Sequence, residues 1–332
     1  MNKGTFSEWG GYLPFELDFT KGEYFKDHPE EDIVRLDCGR SAFWYALNDA
    51  KPCKVYTPYL NCKNSTDPIE GLGIPYEYYE LEDDLTPKGV DLKAGEAIIW
   101  VNYYGNATRE SIEKIRHYGD DGTLIVDNCN AFWSKPLDNA YNCYSTRKFF
   151  GVCDGAYLIK KNIDKIKLER SYSAPHIQFI LDCIERGTNA CYQENLKNEE
   201  RLGKGCKAMS LLTERILNSI DYKAVKERRN RNFDRLHELI GHMNEFRVNT
   251  ESGTQMHYPL LITNDQIRGW LVSRRLYTPT WWRHVPDYFE GRDTIERRLS
   301  KYMLMIPIDQ RYEAKDMDAI SELIHEGVEA CQ

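Results

Sequence analysis

Two short runs constrain this chain more than anything else in it: Ala97-Ile98-Ile99-Trp100-Val101 and Leu124-Ile125-Val126. Each is continuously apolar rather than alternating, which is the pattern of a strand covered on both faces, as in a parallel sheet flanked by helices. An α/β architecture follows. The spacing predicts strands over 97–103 and 123–127, with further β-rich runs at 55–59, 76–81, 140–145 and 155–160. Polar segments separate them, several with helical periodicity. Between the two central strands, Thr108 is placed to cap a helix that carries Ile112 and Ile115 on one face.

The pattern changes after residue 161. Residues 163–245 are charged and helical in character and read as a connector, in which Arg228-Arg229-Asn230-Arg231 is a solvated helix face. Beta-like pieces return at 256–263 and 303–308. A closing helix then carries Met317, Ile320, Ile324 and Val328 on one stripe. Two bodies are therefore expected: a large domain over 1–220, including an N-terminal arm, and a smaller α+β domain over 221–332.

Composition removes several function classes. The 332 residues hold 44 Lys and Arg against 52 Asp and Glu, a net charge of −8 with no long block of either sign, which disfavours nucleic acid as a partner. The longest purely apolar stretch, residues 42–47, is far short of the roughly 20 needed to cross a membrane. The first eleven residues lack the apolar core of a signal peptide, so a soluble cytoplasmic protein is expected. Ten cysteines without a CxxC pair read as reduced, mostly buried thiols, and eight scattered histidines without ligand spacing give no metal site. GxxxxGK[ST], a strand-linked GxGxxG, HExxH and GxSxG are all missing.

Three segments remain that can carry chemistry, and their order matters. In Cys38-Gly39-Arg40-Ser41, a small turn precedes a helix that Ser41 can cap, and the free N–H groups of a helix start suit an anion. In Val126-Asp127-Asn128-Cys129-Asn130, an apolar strand ends in a carboxylate, at the edge where parallel sheets open onto ligands. In Ser145-Thr146-Arg147-Lys148-Phe149-Phe150-Gly151, a lysine among aromatics follows a strand end. Desolvation there would lower its pKa, as an amine nucleophile requires. An anion cradle, a carboxylate and an amine match the phosphate, pyridinium nitrogen and aldehyde of pyridoxal 5′-phosphate.

With these residues the sequence resembles the fold type I pyridoxal-phosphate enzymes, and among them the DegT/DnrJ/EryC1/StrS sugar aminotransferases, over about residues 36–327. Val101-Asn102-Tyr103-Tyr104-Gly105-Asn106 resembles the family's strand ending in a glycine turn, and Ile125 to Ala131 its Asp strand. Ser145-Thr146-Arg147-Lys148 is similar to its Ser-x-x-Lys element, and 228–232 and 306–312 to its small-domain segments. The resemblance implies a large domain with a mostly parallel central sheet and a smaller C-terminal α+β domain. It implies that Lys148 forms the internal aldimine and moves the proton, and that Asp127 keeps the ring nitrogen protonated. Asn130, where the family usually has Gln, would bond the 3-oxygen. Ser145 and the amides of Gly39, Arg40 and Ser41 would hold the phosphate, with Tyr59 stacking on the ring. It further implies small-molecule substrates, an amino donor such as glutamate and a nucleotide-linked keto sugar of polysaccharide biosynthesis, and a homodimer.

The chain departs from the family at Asn130, in a shorter stretch between Asp127 and Lys148, and in a turn after the lysine without the family's Asn and paired glycines. These changes bear on the substrate side. They leave open a relative that binds cofactor or ligand without transamination, and a nucleotide-binding α/β protein without pyridoxal.

Overall fold

The computed structural model describes residues 15–18 and 20–332; the expected N-terminal arm and the first eleven residues lie outside them. The described residues form nine strands in chain order: β1 (Ile33–Leu36), β2 (Lys54–Pro58), β3 (Tyr76–Tyr79), β4 (Glu96–Val101), β5 (Thr123–Asp127), β6 (Ala140–Ser145), β7 (Ala156–Ile159), β8 (His257–Leu261) and β9 (Met303–Pro307). The first seven form one sheet in the order β1-β7-β6-β5-β4-β2-β3. All run the same way except β7, which is antiparallel to both neighbours.

Both faces of the central strands are covered, as their composition requires. Ala97, Ile99 and Ile125 pack with Phe43, Tyr45 and Leu47 of the helix Gly39–Ala50. Ile98, Trp100, Leu124 and Val126 pack on the opposite face with Ile115 of the helix Arg109–Asp121. Each such side chain contributes about 1.5–3 kcal/mol by leaving water. Thr108 caps that second helix in a reciprocal box with Ser111, as predicted.

Several boundaries differ from expectation, each for a local reason. The strand predicted over 97–103 stops at Val101, because Tyr104 takes a left-handed backbone (φ 60°) in the turn that follows. The 76–81 run ends as a strand at Tyr79, and Leu81 keeps only an isolated bridge to Pro87. The segment 155–160 pairs only over Ala156–Ile159, since Gly155 sits at φ +124°. Strand β1 was not anticipated.

Ser41 does not cap its helix. The helix begins at Gly39 behind Cys38, without a side-chain cap, and the Ser41 hydroxyl donates to Asp37. Nor is 163–245 a loose connector. Met209 and Leu217 are buried with Phe132, Tyr144 and Phe150, and the helix Tyr222–Ile240 is shared between two cores. Its start, Tyr222 and Val225, packs on that aromatic cluster, while Phe233, Leu236 and Ile240 join Tyr258, Leu304 and Ile324. The expected division between residues 220 and 221 falls at the cap of this helix. Arg229, read as solvated, is 2% exposed and donates to the carbonyls of Phe149, Gln255 and Met256 and to Gln310.

The C-terminal part is a two-stranded antiparallel pair, β8 with β9, against the helices Tyr222–Ile240 and Ala314–Ala330. Leu261, Phe289, Leu299 and Met305 also enter the core beneath the large sheet. Of the ten unpaired cysteines, five are buried, while Cys53 and Cys62 are exposed. Among the described residues no helix is long and apolar enough to cross a membrane.

Candidate active site

The site forms where β5 and β6 end side by side, Asp127 opposite Cys143. Alternation along the strands puts Asp127 on the same face as Ile125, the face covered by the helix Gly39–Ala50. Asp127 is 5% exposed, and its carboxylate accepts the Cys129 N–H at 2.9 Å. A turn closed by the Ala131 N–H on the Asn128 carbonyl, 2.9 Å, then brings Asn130 round. Asn130 Oδ1 accepts a hydrogen bond from Lys148 Nζ at 2.9 Å.

Lys148 sits on a tight turn after β6, where Phe149 and Phe150 both donate to the Thr146 carbonyl at 3.0 Å. The turn needs glycine at 155. A Cβ there would lie 2.3 Å from Thr146 Oγ1, on a backbone at φ +124°. Lys148 itself is exposed, so the desolvation expected from its aromatic neighbours is not what the structure provides. Its ammonium is held by an amide oxygen instead.

Charge connects the two ends. Burial pushes the Cys129 thiol well above its ordinary range; Asp127 pushes it further and Lys148 pulls it back. Asp127 and Lys148 thus both act on Cys129, whose N–H bonds Asp127 and whose neighbour Asn130 bonds Lys148.

The helix start Gly39 presses on this turn. A Cβ at Gly39 would stand 2.9 Å from Cys129 Sγ, so a larger residue would push the helix away. Its first N–H groups have no side-chain cap. Around it three guanidinium groups converge. Arg40 donates to the Leu202 and Glu199 carbonyls at 2.7 and 3.2 Å, and Arg147 pairs with Glu199. Arg201 donates to Asn198 at 2.8 Å. Burial holds Arg147 below the ordinary arginine range, and the neighbouring Arg201 and Arg40 charges act in the same direction. Arg147 Nε and Arg201 Nη2 are buried without a hydrogen-bond partner. Orphaned cationic donors beside the positive end of a helix are costly unless an anion is there to accept them.

Ser145 is buried at the end of β6, and its hydroxyl makes no hydrogen bond among the described residues. Asp37, behind Ser41, has its carboxyl raised by burial and by Asp154. Of the residues singled out in the sequence, Gly39, Asp127, Asn130 and Lys148 are linked through the turn at Cys129; Arg40 and Ser41 follow Gly39 in its helix, and Ser145 ends β6 three residues before Lys148. Tyr59 is engaged elsewhere: its ring stacks on Tyr78 at 4.8 Å and packs against Tyr288 and Phe289. The sequence reading missed Arg201, which lies far along the chain, and gave Arg147 no role.

A scan against protein-family models and a search of curated proteins each returned no match. Solved structures do match. Spr1654 of Streptococcus pneumoniae, assigned as a sugar aminotransferase and solved in its PMP form, aligns with a TM-score of 0.65 and 14% identity over 93% of this chain and 90% of its own. The sugar aminotransferase CalS13 of Micromonospora echinospora aligns at 0.60 and 14% identity, over 89% and 87%. A DegT/DnrJ/EryC1/StrS aminotransferase of Brucella abortus aligns at 0.58 and 14% identity, over 89% and 84%. The chain has their fold. A mostly parallel seven-stranded sheet with a smaller C-terminal body is the architecture that the sequence resemblance implied.

Proposed function

We propose that this chain is a pyridoxal-phosphate-dependent aminotransferase that moves an amino group from an amino acid, glutamate being the first candidate, to a nucleotide-linked keto sugar. The observation that carries the reading is geometric: one turn holds Asp127 through the Cys129 N–H and Lys148 through Asn130, beside a helix start where two buried cationic donors lack partners. The fold shared with sugar aminotransferases supports it, and one of those proteins is described in a PMP form.

The residues present fit the cofactor. The Gly39, Arg40 and Ser41 amides, Ser145, and the free donors of Arg147 and Arg201 would hold its phosphate. Asp127 would keep a proton on the ring nitrogen, and Asn130 would bond the 3-oxygen. When bound, the cofactor supplies an electron sink that acidifies the donor Cα. The protein supplies the rest. Lys148 Nζ would be the amine offered to the cofactor aldehyde and the base that takes a proton from the donor Cα. Its bond to Asn130 holds the amine in place, and Asp127, buried and fixed by the Cys129 N–H, would face the ring nitrogen.

The setting proposed is a homodimer in the cytoplasm, in a route to a surface polysaccharide. Mixing purified protein with pyridoxal phosphate tests the reading. A visible absorbance band should appear, fade on adding glutamate and return on adding a keto sugar. Absence of the band, or a band indifferent to every amino donor, contradicts it.

A further inference from the structure

His257 stands out because its imidazole has nothing to bond. It opens β8, and neither ring nitrogen makes a hydrogen bond among the described residues; Nδ1 is enclosed without a partner. A buried polar atom is rarely left so in a native protein unless something else completes it.

The ring belongs to a wall that reaches Lys148. His257 meets Trp281 edge to face, centroids 5.8 Å apart. Trp281 stacks on Tyr104 at 5.9 Å and 22°. Tyr104 (φ 60°) and Trp282 (φ 55°), which also touch, both hold left-handed backbones that aromatic residues seldom adopt, and such strain collects at functional sites. Gly105, next to Tyr104, packs on Asn130 and Ala131, where a Cβ would be 3.6–3.7 Å away. Asn130 in turn holds Lys148. The wall therefore runs from His257 through Trp281, Tyr104 and Gly105 to the lysine.

The chemistry of this wall is neutral. Burial, with Arg229, Lys148 and Arg311 nearby and Asp309 opposing, lowers His257 to about 4, so the ring is uncharged at neutral pH. One nitrogen then donates and the other accepts. A hydroxyl has the same dual character, whereas a carboxylate would need a free cation. The cations here are occupied: Arg229 by carbonyls and Gln310, Arg311 by Asp309 at 2.7 and 2.9 Å, and Lys148 by Asn130 at 2.9 Å.

We propose that His257, backed by Trp281, is the contact for the hydroxyl groups of the acceptor ketone, and so separates the acceptor from the carboxylate-bearing donor. This rests on the aminotransferase reading above. The test loads wild type, His257→Ala and His257→Asn with pyridoxamine phosphate. Each is mixed in turn with dihydroxyacetone and with 2-oxoglutarate, and the return of the visible band is followed. His257→Ala should react roughly tenfold more slowly with dihydroxyacetone, the fold-change of one lost hydrogen bond, and at the wild-type rate with 2-oxoglutarate. His257→Asn, which keeps a donor and an acceptor, should recover part of the loss. Independently of turnover, the proton resonance of the His257 ring should shift when dihydroxyacetone is added. Equal loss with both ketones, no loss with either, an unmoved resonance, or a wild type that reacts with 2-oxoglutarate but with no hydroxylated ketone overturns the assignment. A wild type that never develops the band with pyridoxal phosphate instead removes the aminotransferase reading, and this contact with it.

Discussion

Two regions that both reach the turn of Asn130 are built from opposite materials. At the start of the helix Gly39–Ala50 the wall is backbone N–H and guanidinium, with Arg40, Arg147 and Arg201 gathered and two donors unsatisfied. In the second, around Tyr104, Trp281 and His257, the contacts are aromatic and end in an imidazole held uncharged by burial. Such a division sorts ligand parts before any reaction occurs. An anionic group is stabilised on the first flank only, and a neutral hydroxylated group loses less water on the second. Asp127 and Lys148 are the two groups proposed to act on the cofactor.

That contrast can be broken by substitution, beginning where the effect is largest. Lys148→Ala should remove the visible band and all turnover, yet leave cofactor binding measurable by equilibrium dialysis, because the phosphate flank is untouched. Asp127→Ala should form the band but lose turnover a hundredfold or more, the scale of a lost proton-holding group, read in steady-state assays. Normal turnover in either variant breaks the division of roles.

The neutral flank can be probed through pH. The folded-state pKa of His257 is depressed to about 4, below its ordinary 6.5. Unfolded chains therefore bind the proton first, and the contribution of this site to stability is full above about pH 6.5 and is lost as pH falls toward 4. The shift corresponds to at most about 3 kcal/mol. His257→Gln should flatten this acid limb in urea titrations run from pH 7 to 4; an unchanged limb would mean that the ring is not held neutral.

On the cationic flank the expected effects are smaller. Arg147→Met should raise the cofactor Kd roughly tenfold to a hundredfold, the value of about 1.5–3 kcal/mol for a hydrogen bond from a charged donor. Ser41→Ala should leave that Kd near wild type, because Ser41 offers the phosphate its amide while its hydroxyl serves Asp37. It should lower unfolding free energy by about 1 kcal/mol. A large loss of cofactor affinity in Ser41→Ala would move the hydroxyl from structure to binding.

What the sequence made legible follows from how local each signal is. The central strands could be read because Ala97 to Val101 and Leu124 to Val126 are apolar on both faces, and Asp127 because it interrupts such a run at its end. Thr108 was readable because its cap lies within four residues of it. Strand β1 was not: Ile33 to Leu36 is four residues long with Arg35 in the middle, and its charge is tied to Glu23 and Glu30 by folding. Arg229 looked solvated within a basic run, yet three-dimensional packing hides it against the loop of Lys148. Arg201 and His257 carry no local signal at all. Their significance is that distant segments deliver them, one to the helix start and one to the aromatic wall, without hydrogen-bond partners for Arg201 Nη2 or for the His257 ring. Periodicity cannot report that.

The central claim is that Lys148 is the amine, facing one small aromatic aldehyde from the side opposite Asp127. Borohydride reduction of the pyridoxal-phosphate-loaded protein, followed by peptide mapping, addresses it most directly. The account predicts a single phosphopyridoxyl label on the peptide containing Lys148. A label on a different lysine, or none on protein that shows the visible band, would contradict it.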